Sequence, residues 1–331
     1  MFLYASGIGH IDVSTSEYRE LIDGPYLDEL LAGVALVIVH PDGSDHHSAR
    51  PPGSTPVVVC WAGTDDAPRW ADVALDAADC TALVEQVGRV PQAAISLAVL
   101  LRQTEMLSIP AALAAESAVY SMLQAGPEFA AWRAATPARP DPDPDRTTVL
   151  IDRDGDRLSL TLDRPHRHNA ISMRLRDELH AALMIAAVDD SIREMVVGGN
   201  GPSFCSGGDL GEFGSRPDPV TAHVTRLARS PAALIERLRD RVEMRIHGST
   251  FGGGIEMAAF AGRVIADSDT RVALPEVSLG LIPGAGGTAS LTRRIGRQRT
   301  AALGLLGTAI DAPTALDWGL VDEIRAPTSM T

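Results

Sequence analysis

Apolar and polar positions follow two different rhythms along this chain. Near the start, Val34 to Val39 and Val57 to Cys60 are β-branched runs, read as buried strands. The polar stretch between them, H-P-D-G-S-D-H-H-S-A-R-P-P-G-S-T, reads as a loop. From Ala71 the period becomes helical. Leu83, Val84 and Val87 share a face that ends at Gly88. Pro91 suits the first turn of a helix over Gln92 to Leu107, where Ile95, Val99 and Arg102 keep the turn spacing. Ser108-Ile109-Pro110 opens another helix through Leu113, Glu116, Tyr120 and Leu123 to a stop at Gly126-Pro127, and a short last helix carries Phe129 and Trp132.

Thr136 to Thr147, T-P-A-R-P-D-P-D-P-D-R-T, alternates proline with acid, buries nothing and is held extended, so it reads as a linker. Beyond it, Val149 to Asp152 and Arg157 to Leu162 flank Asp154-Gly155 as a hairpin. Ser172 caps a helix whose apolar face is Leu175, Leu179, Leu183 and Ala186. Met195 to Val197 is a further strand, and strands and helices alternate to the end, the pattern of stacked β-β-α units. The expected organisation is an N-terminal α/β region over 1–135, helical in its second half, a linker over 136–147 and a second unit over 148–331.

Composition narrows the functions. The 331 residues are 45% hydrophobic, enough for a sizeable core. A net charge of −14 argues against non-specific binding to nucleic acid or to an anionic membrane, both of which need a basic face. Cys60, Cys80 and Cys205 lack metal-ligand spacing and read as reduced thiols. His46-His47 lies in a Pro/Gly/Ser-rich loop without the spacing of a ligand set. No metal site is expected. The first ten residues show no basic leader before a long apolar run, and no window has the length of a membrane span, so the expectation is a soluble, cytoplasmic protein.

The candidate chemistry sits between Arg245 and Thr288. Gly252 to Gly254 precede an Ala-rich helical pattern from Ile255. Bare amides at the start of such a helix face its positive end and suit a developing oxyanion. Glu256, one turn on from Gly253, reaches back to the same place, and Glu276 follows a short strand and a proline. Two carboxyls beside a row of backbone donors point to acid/base work next to an activated carbonyl. Taken alone, a glycine triplet before a helix is more often a packing device.

Five blocks shift that balance: Leu162 to Ile171 (L-D-R-P-H-R-H-N-A-I), Phe204 to Leu210 (F-C-S-G-G-D-L), Gly252 to Glu256 (G-G-G-I-E), Pro275 to Gly280 (P-E-V-S-L-G) and Pro283 to Thr288 (P-G-A-G-G-T). In order and spacing they resemble the enoyl-CoA hydratase/isomerase, or crotonase, superfamily over about Thr148 to Ile324. The resemblance implies an α/β fold, the crotonase-like (ClpP/crotonase) spiral of β-β-α repeats, here with an N-terminal strand-plus-helix region. It implies a thioester carbonyl held between the amides of Gly208 and Gly253, with Glu256 and Glu276 acting on one water. It places Arg167, His168, Ala170, Ser206, Asp209, Leu210 and Gly252, with Arg164 and Asn169, along the acyl-CoA substrate. For Asp209, a capping or turn role stays open. The expected activity is enoyl-CoA hydration without a cofactor, in a homo-oligomer (a trimer or dimer of trimers). The alternatives are isomerisation, thioester hydrolysis, cofactor-free oxygenation, or non-catalytic acyl-CoA binding.

Two features depart from the family pattern. Glu243, Arg245 and His247 alternate on one face of a strand that relatives keep apolar, either as a charge pair or with His247 in the acyl pocket. The chain also stops soon after Gly319-Leu320-Val321, where relatives continue with a helical tail. Pro91 to Arg133 resembles that tail moved to the front; the other reading is an unrelated helical appendage. Arg293, Arg294, Arg297 and Arg299 read as a solvated or interface face.

Overall fold

A computed structural model describes residues 9–24, 33–45, 49, 52–64, 67–136, 145–215 and 218–326. His46-His47 and residues 137–144 of the proline-acid stretch lie outside them. The two valine-rich runs become β2 (Val34–His40) and β3 (Val58–Ala62), central in a parallel sheet of order β1-β2-β3-β4. Its flanks are β1 (Gly9–Ser14) and β4 (Val73–Leu75). The pattern reading missed both flanks. β1 is a half-exposed edge strand without an apolar run, and β4 is three residues long. It also missed α1 (Thr15–Asp23), which opens with a reciprocal capping box between Ser14 and Glu17.

Helices α2 (Ala77–Arg89), α3 (Pro91–Thr104), α4 (Ile109–Gln124) and α5 (Pro127–Ala135) follow, the last three each with proline in the first turn. Their apolar faces do not close on the N-terminal sheet alone. One buried cluster joins Leu36, Val58 and Leu97 to Val277, Leu281 and Leu305, so the core crosses the proline-acid stretch. A second buried feature ties the same layers. Asp72, 1% exposed, takes Arg102 at 2.5 Å and Arg297 at 3.0 Å. Arg297, expected on a solvated face, is buried at the head of a helix described below. An ion needs its partner more than it needs water once the surrounding layers close.

The second unit carries a six-stranded sheet of order β13-β10-β8-β7-β6-β5. Its strands are β5 (Val149–Asp154), β6 (Arg157–Leu162), β7 (Glu194–Gly199), β8 (Val242–Ile246), β10 (Arg263–Asp267) and β13 (Glu323–Arg325). Only the β5/β6 hairpin is antiparallel, turning at Gly155 with φ +60°. A small sheet, order β12-β11-β9, holds β9 (Ser249–Phe251), β11 (Arg271–Ala273) and β12 (Ile310–Asp311). Each repeat sends its first strand to the large sheet and its second to the small one: β8 then β9, β10 then β11. α9 (Gly253–Ala258) closes the first of these repeats. α6 (Met173–Val188) buries Leu175, Leu179, Leu183 and Ala186 and is capped by the Ser172 hydroxyl. The remaining helices are α7 (Pro219–Ala228), α8 (Pro231–Arg237), α10 (Gly287–Ile295), α11 (Arg297–Leu306) and α12 (Ala312–Asp317). The unusual β8 charges lie on the outer sheet face, where Glu243 meets Arg245 at 2.8 Å and Arg263 at 3.3 Å. Such exposed pairs contribute little stability. His247 hydrogen-bonds the Gly201 carbonyl at 2.9 Å and does not line the cavity described next.

Candidate active site

A cavity of about 460 Å³ opens where α4 and α7 lie over the loops at 208–214 and 284–286 and the start of α9. Gly208, Asp209, Gly253, Glu256 and Glu276 all line it, although they come from three separate stretches of chain. Two backbone features place the donors. Gly253 is the first residue of α9, so its N–H has no intrahelical acceptor. Gly208 bridges Ile171 in parallel fashion, with the bonds made by the Ile171 and Asp209 amides instead of its own. Neither the Gly208 nor the Gly253 N–H has an acceptor among the described residues. Both positions are crowded: a Cβ at Gly208 would meet the Phe213 ring at 2.5 Å, and one at Gly253 would meet Ile171 Cδ1 at 2.6 Å.

Gly252 has a different duty. Its backbone lies at φ +47°, and a Cβ there would sit 2.2 Å from Glu276 Oε1. The missing side chain is the space in which the Glu276 carboxyl rests. Gly252 is buried and borders the cavity without lining it.

The two carboxyls have unlike surroundings. Glu256, 1% exposed, has Oε2 accepting from the Ala285 amide at 2.7 Å and the Gly287 amide at 2.9 Å. Burial pushes it up to about 7 against the lowering effect of these donors. Glu276 Oε2 is buried with no partner among the described residues. Burial, then the charge of Glu256, hold this carboxyl well above the usual carboxylate range. Burial favours the proton on both carboxyls, and only at Glu256 do amide donors oppose it.

The remaining sequence candidates gather beside this cavity. Arg167, His168, Ala170 and Ser206 belong to two strands of loop stitched together, with the Ser206 amide donating to His168 O at 2.9 Å and Ile171 to Gly207 O at 2.7 Å. None of the four lines the cavity, though the adjoining Ile171 does. His168 and Asn169 both adopt positive φ, 52° and 53°, and the buried Asn169 side chain holds that turn through Arg164, Asn200 and Ser203. Leu210 is exposed and its carbonyl takes Arg133 at 3.2 Å. Asp209 lines the cavity, yet its carboxylate is taken by Arg164 at 2.7 Å and by the Gly211 amide at 2.9 Å. Arg164 itself is 2% exposed, so it pins a turn and presents no guanidinium to solvent phosphate. Among the described residues no group of three His, Cys, Asp or Glu converges as a metal site. No described helix is long and apolar enough to cross a membrane.

The pattern reading did not place Glu116, Tyr120 or Arg226 at this site, and all three line it. The signal was present. Glu116 falls on the apolar face of α4 between Leu113 and Tyr120, where a carboxylate is out of place. Arg226 lies over the Tyr120 ring at 4.7 Å and donates to Ser117 and Ser121.

Fold and site together describe a two-sheet spiral with an amide pair and two buried carboxyls around one cleft, an arrangement suited to reactions next to a carbonyl. Residues 157–330 match the enoyl-CoA hydratase/isomerase family model. The chain is 34% identical over 176 residues to a 2,3-dehydroadipyl-CoA hydratase of Escherichia coli, covering 53% of this chain and 68% of that protein. It is 36% identical over 174 residues to an enoyl-CoA isomerase/hydratase of Mycosarcoma maydis, covering 50% of this chain and 64% of that one. Among solved structures, an enoyl-CoA hydratase of Mycobacterium smegmatis aligns with TM-score 0.51 at 31% identity, over 55% of this chain and 71% of its own. The chain belongs to the enoyl-CoA hydratase/isomerase family. The matched part spans about two thirds of the length of these relatives.

Proposed function

We propose that the protein hydrates a 2-enoyl-CoA thioester, and that the contrast between the two carboxyls carries this reading. The Gly208 and Gly253 amides receive the thioester oxygen and stabilise the enolate that forms when water adds. Glu256, its charge supported by two amides, takes a proton from water as the oxygen bonds to the β-carbon. Glu276, kept protonated by burial, gives its proton to the α-carbon. The product is the 3-hydroxyacyl thioester, and one proton passing from Glu256 to Glu276 resets the pair. No redox change occurs, so the chemistry asks for no cofactor.

The test is incubation of the full chain with a short 2-enoyl-CoA in heavy-oxygen water. Hydration places one labelled oxygen on the β-carbon. A shifted double bond without label means isomerisation, and free CoA with the label in the carboxyl group of the released acid means hydrolysis; either product as the sole outcome defeats the hydratase reading.

A further inference from the structure

We propose that Glu116, brought by α4 from the far side of the proline-acid stretch, is a positioning residue for Glu256. It would act through one short run of backbone that both carboxylates share. Four successive amides alternate between the two groups. Ala285 donates to Glu256 at 2.7 Å, Gly286 to Glu116 at 2.7 Å, Gly287 to Glu256 at 2.9 Å and Thr288 to Glu116 at 2.8 Å. The Thr288 hydroxyl adds a third donor to Glu116 at 2.7 Å. Both oxygens of Glu116 are therefore occupied, and the residue is 1% exposed. Each of its oxygens already accepts a donor, whereas Glu276 Oε2 has none among the described residues.

The geometry makes the second carboxylate more than a packing detail. Gly286 lies at φ +103° and starts α10, so no preceding turn of helix fixes its amides. Amides at such an end point outwards and need acceptors. Glu116 fastens the second and fourth of the run from one side. The first and third are thereby aimed the opposite way, at Glu256. Glycines in this run also admit the helix that delivers Glu116. A Cβ at Gly284 would meet the Tyr120 ring at 2.5 Å, and one at Gly286 would come within 3.1 Å of Leu113. Glu276, Tyr120, Cys205 and Arg226 are the other titratable groups that act on this pair.

The closing experiment has one arm that does not depend on the hydration reading. Amide exchange is followed by NMR in the full chain and in Glu116→Gln. A carboxamide presents one acceptor and one donor end, so either Gly286 or Thr288 loses its partner. Faster exchange at all four amides, Ala285 and Gly287 included, is the expected result. Faster exchange confined to Gly286 and Thr288 overturns the proposal, because Glu256 then keeps its donors unaided. The second arm, which rests on the proposed hydration, is kinetic. Misplacement of a reacting group by about 1 Å costs on the order of 10²-fold, so kcat should fall by about that factor with KM changed less than about 2-fold. Wild-type kcat, or a loss confined to KM, overturns it. Should Glu116→Gln fail to fold, Thr288→Val removes the hydroxyl donor alone. It should still quicken exchange at Ala285 and Gly287, with Thr288→Ser restoring protection; unchanged exchange in Thr288→Val overturns the proposal.

Discussion

At the scale of single residues, the unlike surroundings of Glu256 and Glu276 have measurable consequences. Glu256→Gln and Glu276→Gln should each cost about 10²–10⁴-fold in turnover, the usual loss of a positioned acid or base. Steady-state assays on a short 2-enoyl-CoA check this, and activity within a few-fold of wild type in either variant contradicts the roles assigned above. The same groups make stability depend on pH. Both carboxyls have native pKa values raised above the ordinary 4.5, mainly by burial. Their contribution is therefore complete below pH 4.5 and is lost as pH rises, through about 7 for Glu256 and through the likewise raised pKa of Glu276. Denaturant melts at pH 8 should show Glu276→Gln more stable than wild type, because the variant has no carboxyl whose ionisation burial opposes. The difference should vanish near pH 4. Equal stability of the two proteins at pH 8 contradicts a protonated Glu276. A more stable Glu276→Gln would instead mark the residue as stability given up for chemistry.

At the scale of elements, glycine decides how closely pieces approach. Gly284→Ala places a methyl carbon against the Tyr120 ring, and overpacking of this kind costs about 1–3 kcal/mol. We expect a lowered melting temperature together with reduced turnover, because displacing α4 withdraws Glu116. Gly253→Val should instead lose turnover while melting near wild type, since the obstructing neighbour is the flexible end of Ile171. Much at this scale was legible in the sequence. Ser172, Pro91 and Pro110 mark helix starts through chemistry that lies within a turn of the residue itself. Leu175, Leu179, Leu183 and Ala186 reveal a buried face by spacing alone. Arg297 reads as solvated because its partner, Asp72, lies far away in sequence; the same distance hides Asp209 as the partner of Arg164 and the 286–288 amides as the partners of Glu116.

For the whole molecule, the question is whether the N-terminal region stands apart. The shared cluster from Leu36 to Leu305 and the Asp72 pairs join it to the second unit within one chain. We propose that α3 to α5 take the place of the helical tail that relatives carry after the spiral. A chain beginning at Thr147 should then expose Val277, Leu281 and Leu305, aggregate or change its oligomeric state, and lose turnover. A soluble, fully active fragment would make the N-terminal region a separate module. A gentler test of the same contact is Asp72→Ala. Removing one partner from a buried ion network costs about 3–5 kcal/mol, and urea melts should register it as one cooperative transition for both regions. Two separated transitions would show that the regions unfold independently.

The alternation of amides between Glu116 and Glu256 also sets an order of events during synthesis. The Glu116 side of the clasp leaves the ribosome first, and its donor, the Gly286 amide, is 170 residues further on. At about 5–20 residues per second, the apolar face of α4 waits on the order of 10–30 s for the glycine-rich run that receives it. A nascent chain paused before Pro283 would carry an unpaired carboxylate and an uncovered Tyr120, making that stage the one most in need of a chaperone. The cleft is closed only once residues 284–288 have emerged, and the residue that closes it was made early.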